Sequence, residues 1–156
     1  MKRILKLSML VAGLLLIGDF AYAHDDVNIN YSKLPERAKA FVAKHFGTNP
    51  NVEEVEYVSS ADVYILELRN GYDIKFDKGG KVIEIDSPER KDIDVTIVKD
   101  ILPERAINYL SENRMLDDVE EIKISHKGDF LVEINKIVND GKLRFDSSGK
   151  LINRRH

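Results

Sequence analysis

Leu34-Pro35-Glu36-Arg37-Ala38 returns 68 residues later as Leu102-Pro103-Glu104-Arg105-Ala106. The residues after each copy also match: an amphipathic stretch, several short alternating runs, and a closing Phe-Asp-x-x-Gly-Lys, Phe76 to Lys81 and Phe145 to Lys150. A stretch of 156 residues fits one compact domain or two small ones, and the repeat reads as one unit written twice. The expected fold class is therefore α+β: two tandem units, each a helix packed on a four-stranded antiparallel sheet. The two sheets can join side by side into one continuous curved sheet.

The expected boundaries are a signal peptide over 1–23, a lead-in over 24–33, unit 1 over 34–86, a connector over 87–101 and unit 2 over 102–156. In the lead stretch Met1-Lys2-Arg3 and Lys6 supply positive charge, Leu7 to Ile17 is mostly apolar, and Ala21-Tyr22-Ala23 is a small-x-small cleavage site. The apolar run is short for a bilayer core of about 30 Å. The expected product is therefore exported, periplasmic or secreted, and not inserted in a membrane after cleavage. Removing Lys2, Arg3, Lys6 and Asp19 lowers the formal charge of −3 by a further two. An acidic chain without a basic stripe points away from nucleic acid and anionic membranes. There is no Cys, which excludes disulfides, thiolate metal sites and a Cys nucleophile.

Each unit reads in the same order. Pro35 suits the first helical position, Glu36 sits at the positive end of the helix dipole, and Leu34, Ala38, Phe41, Val42, His45 and Phe46 recur at spacings of three and four. Gly47 and Pro50 stop that helix. Four strands come next, over Val52 to Val58, Asp62 to Arg69, Tyr72 to Asp77 and Lys81 to Asp86. They are joined by Ser59-Ser60-Ala61, by Asn70-Gly71 and by Asp77-Lys78-Gly79-Gly80. In the second unit Leu102, Ala106, Ile107, Tyr109 and Leu110 form the helix stripe, ending near Asn113. Phe130, Val132 and Ile134 take the places of Tyr64, Leu66 and Leu68. The offset between copies drifts to 66 in the second strand and to 69 at the Phe-Asp turn, which places the length changes in turns. The longest falls around Asn135 to Asp140. In the connector, Val95 to Leu102 reads as a short strand or a helical turn.

The Leu-Pro-x-x-Ala helix start, the Gly-led third strand and the Phe-Asp-x-x-Gly-Lys turn, twice over behind a signal peptide, resemble the PepSY-like family, also described as β-lactamase-inhibitor-like. The resemblance spans roughly Ser32 to Asn153. It implies a helix on a four-stranded antiparallel sheet in each unit and a secreted or periplasmic location. It brings no catalytic residues. Related domains are associated with restraint of secreted peptidases, so inhibitor-like restraint of an extracytoplasmic hydrolase or peptidase is the first alternative function. The turns at Ser59-Ser60-Ala61 and Asn135 to Asp140 would be its contact loops.

No constellation for catalysis stands out. Glu53-Glu54 and Glu120-Glu121 are paired carboxylates, but neighbours on a regular strand point to opposite faces. Asp77 and Asp146 lead turns that lack the further acidic ligands of a calcium loop, and an Asp accepting backbone N–H groups explains them. Ser59-Ser60 and Ser147-Ser148 have no His placed to activate them. No cofactor is expected. A free N-terminal His24 is a weak candidate copper ligand, which makes a metal or small-ligand binding module the second alternative.

The better candidate is a surface. If the helices cover one sheet face, the other carries Glu54, Glu56, Glu67, Arg69, Asp73, Lys75, Lys123, Ser125, Glu133 and Arg144 around Val63, Ile65 and Leu131. A mixed-charge rim around a few apolar residues suits a protein-binding face. The expected function is thus non-enzymatic contact with an unknown protein or peptide of the cell envelope. Its expected contacts are Val63, Ile65, Glu67, Arg69, Lys75, Leu131, Glu133 and Arg144.

Overall fold

The computed structural model describes residues 26–89, 91–135 and 141–155. The signal-peptide reading, His24, Arg90, most of the Asn135 to Asp140 connection and His156 lie outside the described residues. The remainder is α+β, with one nine-stranded antiparallel sheet whose strand order follows the chain. The strands are β1 (Asp26–Asn28), β2 (Val52–Val58), β3 (Val63–Leu68), β4 (Asp73–Asp77), β5 (Val82–Asp86), β6 (Val119–Ile124), β7 (Phe130–Ile134), β8 (Gly141–Phe145) and β9 (Leu151–Arg155). The helices are α1 (Glu36–Phe46), α2 (Val95–Ile101) and α3 (Glu104–Glu112). Strands β5 and β6 pair across the repeat boundary, with Ile85 opposite Ile122, so both units share one sheet.

The core follows from register. Val55, Leu66, Ile74, Ile85, Ile122, Val132 and Leu143 face one another strand by strand. All seven are buried in one cluster, together with Ala38 and Val42 of α1, Ile97 and Val98 of α2, and Ala106 and Leu110 of α3. The helices thus lie on the same sheet face. Phe41 meets Phe76 edge-on at 6.1 Å between ring centroids, and Tyr109 meets Phe145 at 5.7 Å. Burial alternates along β7 and β8, while β2 to β5 also bury open-face residues such as Ile65, Lys75 and Glu84.

The Phe-Asp-x-x-Gly-Lys turns show why that motif recurs. Asp77 Oδ1 accepts from the N–H groups of Gly79 and Lys81 at 2.9 and 2.8 Å, and Asp146 Oδ1 from those of Ser148 and Lys150. Gly80 and Gly149 take positive φ, and each backs onto the start of a helix. A Cβ on Gly80 would lie 2.7 Å from the Ala38 nitrogen, and one on Gly149 2.8 Å from the Ala106 nitrogen. The turn and the Leu-Pro-x-x-Ala helix start are therefore two halves of one contact, present in both units.

One feature differs from the expectation, and the lead-in and the connector, which the sequence left open, take definite structures. Pro35 and Pro103 sit at the cap with extended ψ, one position ahead of the first helical residue. The lead-in supplies β1, a ninth strand, pairing Val27 with Tyr57. The connector forms α2, which Asp94 starts by accepting the Thr96 N–H at 2.7 Å. Asp100 of α2 then receives Lys44 at 2.6 Å and His45 Nε2 at 2.8 Å, fastening α1 to the connector. His45, packed beside Phe41, thus acts as a structural partner.

Candidate functional site

The open face of the sheet is built from two rows that cross the strands. The first runs Asn28, Glu56, Ile65, Lys75, Glu84, Lys123, Leu131, Arg144, Asn153. Its centre is closed by its own side chains. Lys75 Nζ donates to Glu84 Oε2 at 3.1 Å, and both residues are buried. Ile65 is only 7% exposed. Leu131 is half-buried between Lys123 and Arg144 in register, and Arg144 is exposed and paired with Asp129 at 2.7 Å.

The second row runs Glu54, Glu67, Asp73, Asp86, Glu121, Glu133, Lys142. Six carboxylates from six adjacent strands stand side by side, all half-buried. Adjacent strands are about 4.8 Å apart, so like charges are close in a partly desolvated setting. Burial first, then Asp73 and Glu54, push the Glu67 carboxyl up to about 7. Burial and the charges of Asp73 and Glu84 push Asp86 up to about 6. Glu121 is also raised, by burial and by hydrogen-bonded Glu133, despite Lys123 at 2.7 Å. Glu133 moves down, because hydrogen bonds from Lys142 and Glu121 outweigh its own burial. The two neighbouring carboxyls are thus pushed in opposite directions, Glu121 up and Glu133 down.

Two β-bulges shape this row. Register shifts fall between Val52 and Glu54 and between Val119 and Glu121. The strict alternation invoked for the Glu53-Glu54 and Glu120-Glu121 pairs fails there, since a bulge sets two residues against one. Glu53 then adds its charge to Glu67, and Glu120 to Asp86, so both pairs feed one negative field.

The structure gathers most of the expected surface residues on the open face but not as equals. Glu67 and Glu133 belong to the acidic row. Leu131 and Arg144 are accessible neighbours in the first row. Val63, half-buried, stands opposite Val58 and Asp77. Ile65 and Lys75 stand in the first row of the face, and both are buried there. Arg69 lies beyond the end of β3 and lines a hollow of about 420 Å³ with Phe46, Asn49, Asn51, Leu68 and Asn70. Asp86 was not among the expected face residues and Glu121 was read only as half of a paired carboxylate, because β5 and β6 meet only in the sheet. Lining the strands up on their buried residues would have revealed them.

Among the described residues, no three His, Asp or Glu side chains converge on a point that could hold a metal ion. The histidine ring with a defined partner, His45, is committed to Asp100. Among the described residues, no helix is long and apolar enough to cross a membrane.

A family model described as "Putative beta-lactamase-inhibitor-like, PepSY-like" matches residues 23–84 and 87–153. A solved structure from Bacteroides thetaiotaomicron, described as a "putative calcium-regulated periplasmic protein", is 26% identical with a TM-score of 0.69. The match covers 85% of this chain and 98% of that one. A structure from Bacteroides vulgatus, described as a "putative periplasmic protein from DUF2874 family", is 24% identical with a TM-score of 0.68, covering 86% of this chain and 100% of that one. No curated protein matches the chain.

Proposed function

The chain belongs to the PepSY-like, beta-lactamase-inhibitor-like family, and from its surface we propose that it is a non-enzymatic binding protein of the periplasm. It contacts a protein or peptide of the cell envelope through the open face of its sheet. The observation that carries this reading is the division of the sheet. Helices and core fill one face, while the other presents a half-buried charged row beside Leu131. A structural sheet face does not need six neighbouring carboxylates, and mutual repulsion makes them costly to the fold. Retaining such groups suits a surface that meets something else.

The test is capture from periplasmic extract with the processed protein as bait. Charge reversal by Glu67→Lys, or introduction of a charge by Leu131→Asp, should weaken capture. Arg69→Glu should leave it unchanged, because Arg69 lies off the face. Undiminished capture by both face variants would move the interaction elsewhere.

The family description supports a second reading, restraint of an extracytoplasmic hydrolase. The accessible turn at Ser59-Ser60-Ala61, which ends on Asp62 in the left-handed conformation, is its best contact loop. Inhibition of periplasmic peptidase and β-lactamase activities by the purified protein, lost on replacing that turn, would support it.

A further inference from the structure

We propose that the groove on the helix side of the β5–β6 joint binds a small single-chain carboxylate, its apolar body on Phe41, Ile101 and Ile124 and its charged head at Arg37 and Lys81. The groove lies on the opposite side of the sheet from the open face, so this site is separate from the contact surface and does not depend on it.

The groove forms where the two units meet. Arg37, Ala40, Phe41 and Lys44 recur at helical spacing along one side of α1. The turn before β5 and the start of that strand, the end of α2 and the end of β6 supply the rest of the lining, around a hollow of about 330 Å³. Phe41, Ile101 and Ile124 pack against the core yet stay only half-buried. Three accessible apolar side chains thus meet in one concave place, as in small-molecule sites. The volume stands at the low end of such sites, about 300 to 1,000 Å³. It suits one short chain and not a two-chain lipid.

Charge sets the head group. Asp100 is the acid of the lining, and Lys44 and His45 take its two oxygens at 2.6 and 2.8 Å. Arg37 and Lys81 are exposed and have no ion-pair partner among the described residues. Gly80 holds them near each other: the Arg37 Cβ lies 3.2 Å from where a Gly80 Cβ would stand, and Lys81 is the next residue. Asp77, at the same turn, spends its Oδ1 on the N–H groups of Gly79 and Lys81. In a chain of formal charge −3, two unanswered cations beside an apolar hollow are complementary to an anion with an apolar body. The planar fork of Arg37 suits a carboxylate.

Unit 2 separates the site from the motif. It repeats the cations as Arg105 and Lys150, with Arg105 backed onto Gly149 in the same way. Glu112, however, stands 68 residues after Lys44, and Asn108 stands 68 after Ala40. Strand β9 is an edge of the sheet, so no strand follows it as β6 follows β5. The same pair of cations is joined to an apolar wall only in unit 1.

The test is an amide NMR titration of the processed protein with sodium octanoate at neutral pH and low salt, with 1-octanol as the uncharged counterpart. Octanoate should shift the amides of Lys81, Ile101 and Ile124 saturably, and octanol should bind more weakly. Arg37→Gln with Lys81→Gln should weaken octanoate by about fivefold or more. Both residues are exposed, so an unchanged melting temperature excludes unfolding as the cause. Ala40→Phe, an exposed helix position whose ring would fill the hollow, should abolish binding. Arg105→Gln with Lys150→Gln should leave binding as in wild type, and so should Glu67→Lys on the open face. No saturable shift in the groove overturns the proposal. So does equal octanoate binding by the Arg37 and Lys81 variant, or equal binding of octanol. Groove shifts with anionic phospholipid vesicles but not with octanoate would overturn it as well, in favour of a membrane surface.

Discussion

Glu67→Gln should stabilise this protein at alkaline pH and leave it unchanged in acid. The Glu67 carboxyl titrates near 4.5 in the unfolded chain and at about 7 in the fold. Below pH 4.5 it is protonated in both states and contributes no penalty. As pH rises from 4.5 to 7 the unfolded chain ionises first, so the fold loses stability, and above 7 the whole loss is present. A carboxyl moved this far would be worth about 3 kcal/mol at full strength. Glu67 is half-exposed, however, and solvent and salt screen it, so the working figure is roughly 1 kcal/mol. Gln copies the protonated acid and removes that loss, raising the melting temperature by about 4 °C at about pH 8 and by nothing near pH 4. Asp86 and Glu121 are raised by the same physics, so the wild type itself should melt lower at about pH 8 than at about pH 5. Asp100 and Asp146 are held low, by hydrogen bonds chiefly from Lys44 and from Ser148, so stability also falls in stronger acid. The maximum should therefore lie at roughly pH 4 to 5. Thermal melts followed by circular dichroism from about pH 3.5 to about pH 8.5 on both proteins decide the matter. A wild-type melting temperature that climbs between those acid and alkaline conditions, or a Gln variant that melts lower in alkali, would refute the crowded-row account.

Other perturbations test other parts of the fold. Gly80→Ala and Gly149→Ala should each cost at least about 2 kcal/mol by denaturant titration, because each adds a Cβ to a positive-φ residue pressed against a helix start. Lys75→Met should cost about 3 kcal/mol by leaving Glu84 buried without its hydrogen-bond donor, and Lys75→Met with Glu84→Leu should recover most of it. Phe145→Ala removes a fully buried ring and should cost about 3 to 5 kcal/mol, with the largest rise in hydrogen exchange over α3. Asp100→Ala releases both Lys44 and His45 and should speed exchange in the last turn of α1 without unfolding the sheet.

Local chemistry was enough to place much of this protein from its residues. The stripe from Leu34 to Phe46, the Asn70-Gly71 turn and the Asp77 and Asp146 turns are fixed by side chains within a few positions of one another. Their structures therefore follow from spacing and from which backbone groups an Asp can satisfy. The duplication extended those rules to the second unit, where Val132, Leu143 and Phe145 bury as Leu66, Ile74 and Phe76 do. The connector was less legible. Val95 to Ile101 is apolar in a way that suits a strand or a helix, and packing of Ile97 and Val98 into the shared core decides for the helix.

The candidate surface divides along the same line. Which side chains face away from the helices was readable from alternation, including Glu67, Lys75, Leu131 and Arg144. Alternation could not tell that Ile65 and Lys75 would be enclosed, because their cover comes from neighbouring strands. Nor could it assemble Glu54, Glu67, Asp73, Asp86, Glu121 and Glu133 into one line. Cross-strand register depends on turn lengths, on three bulges and on the joint between β5 and β6, where segments far apart in the chain first meet. Residue order determined an α+β chain of two tandem units with antiparallel strands. Only the completed sheet placed their carboxylates side by side, since a row across strands has no counterpart along the chain.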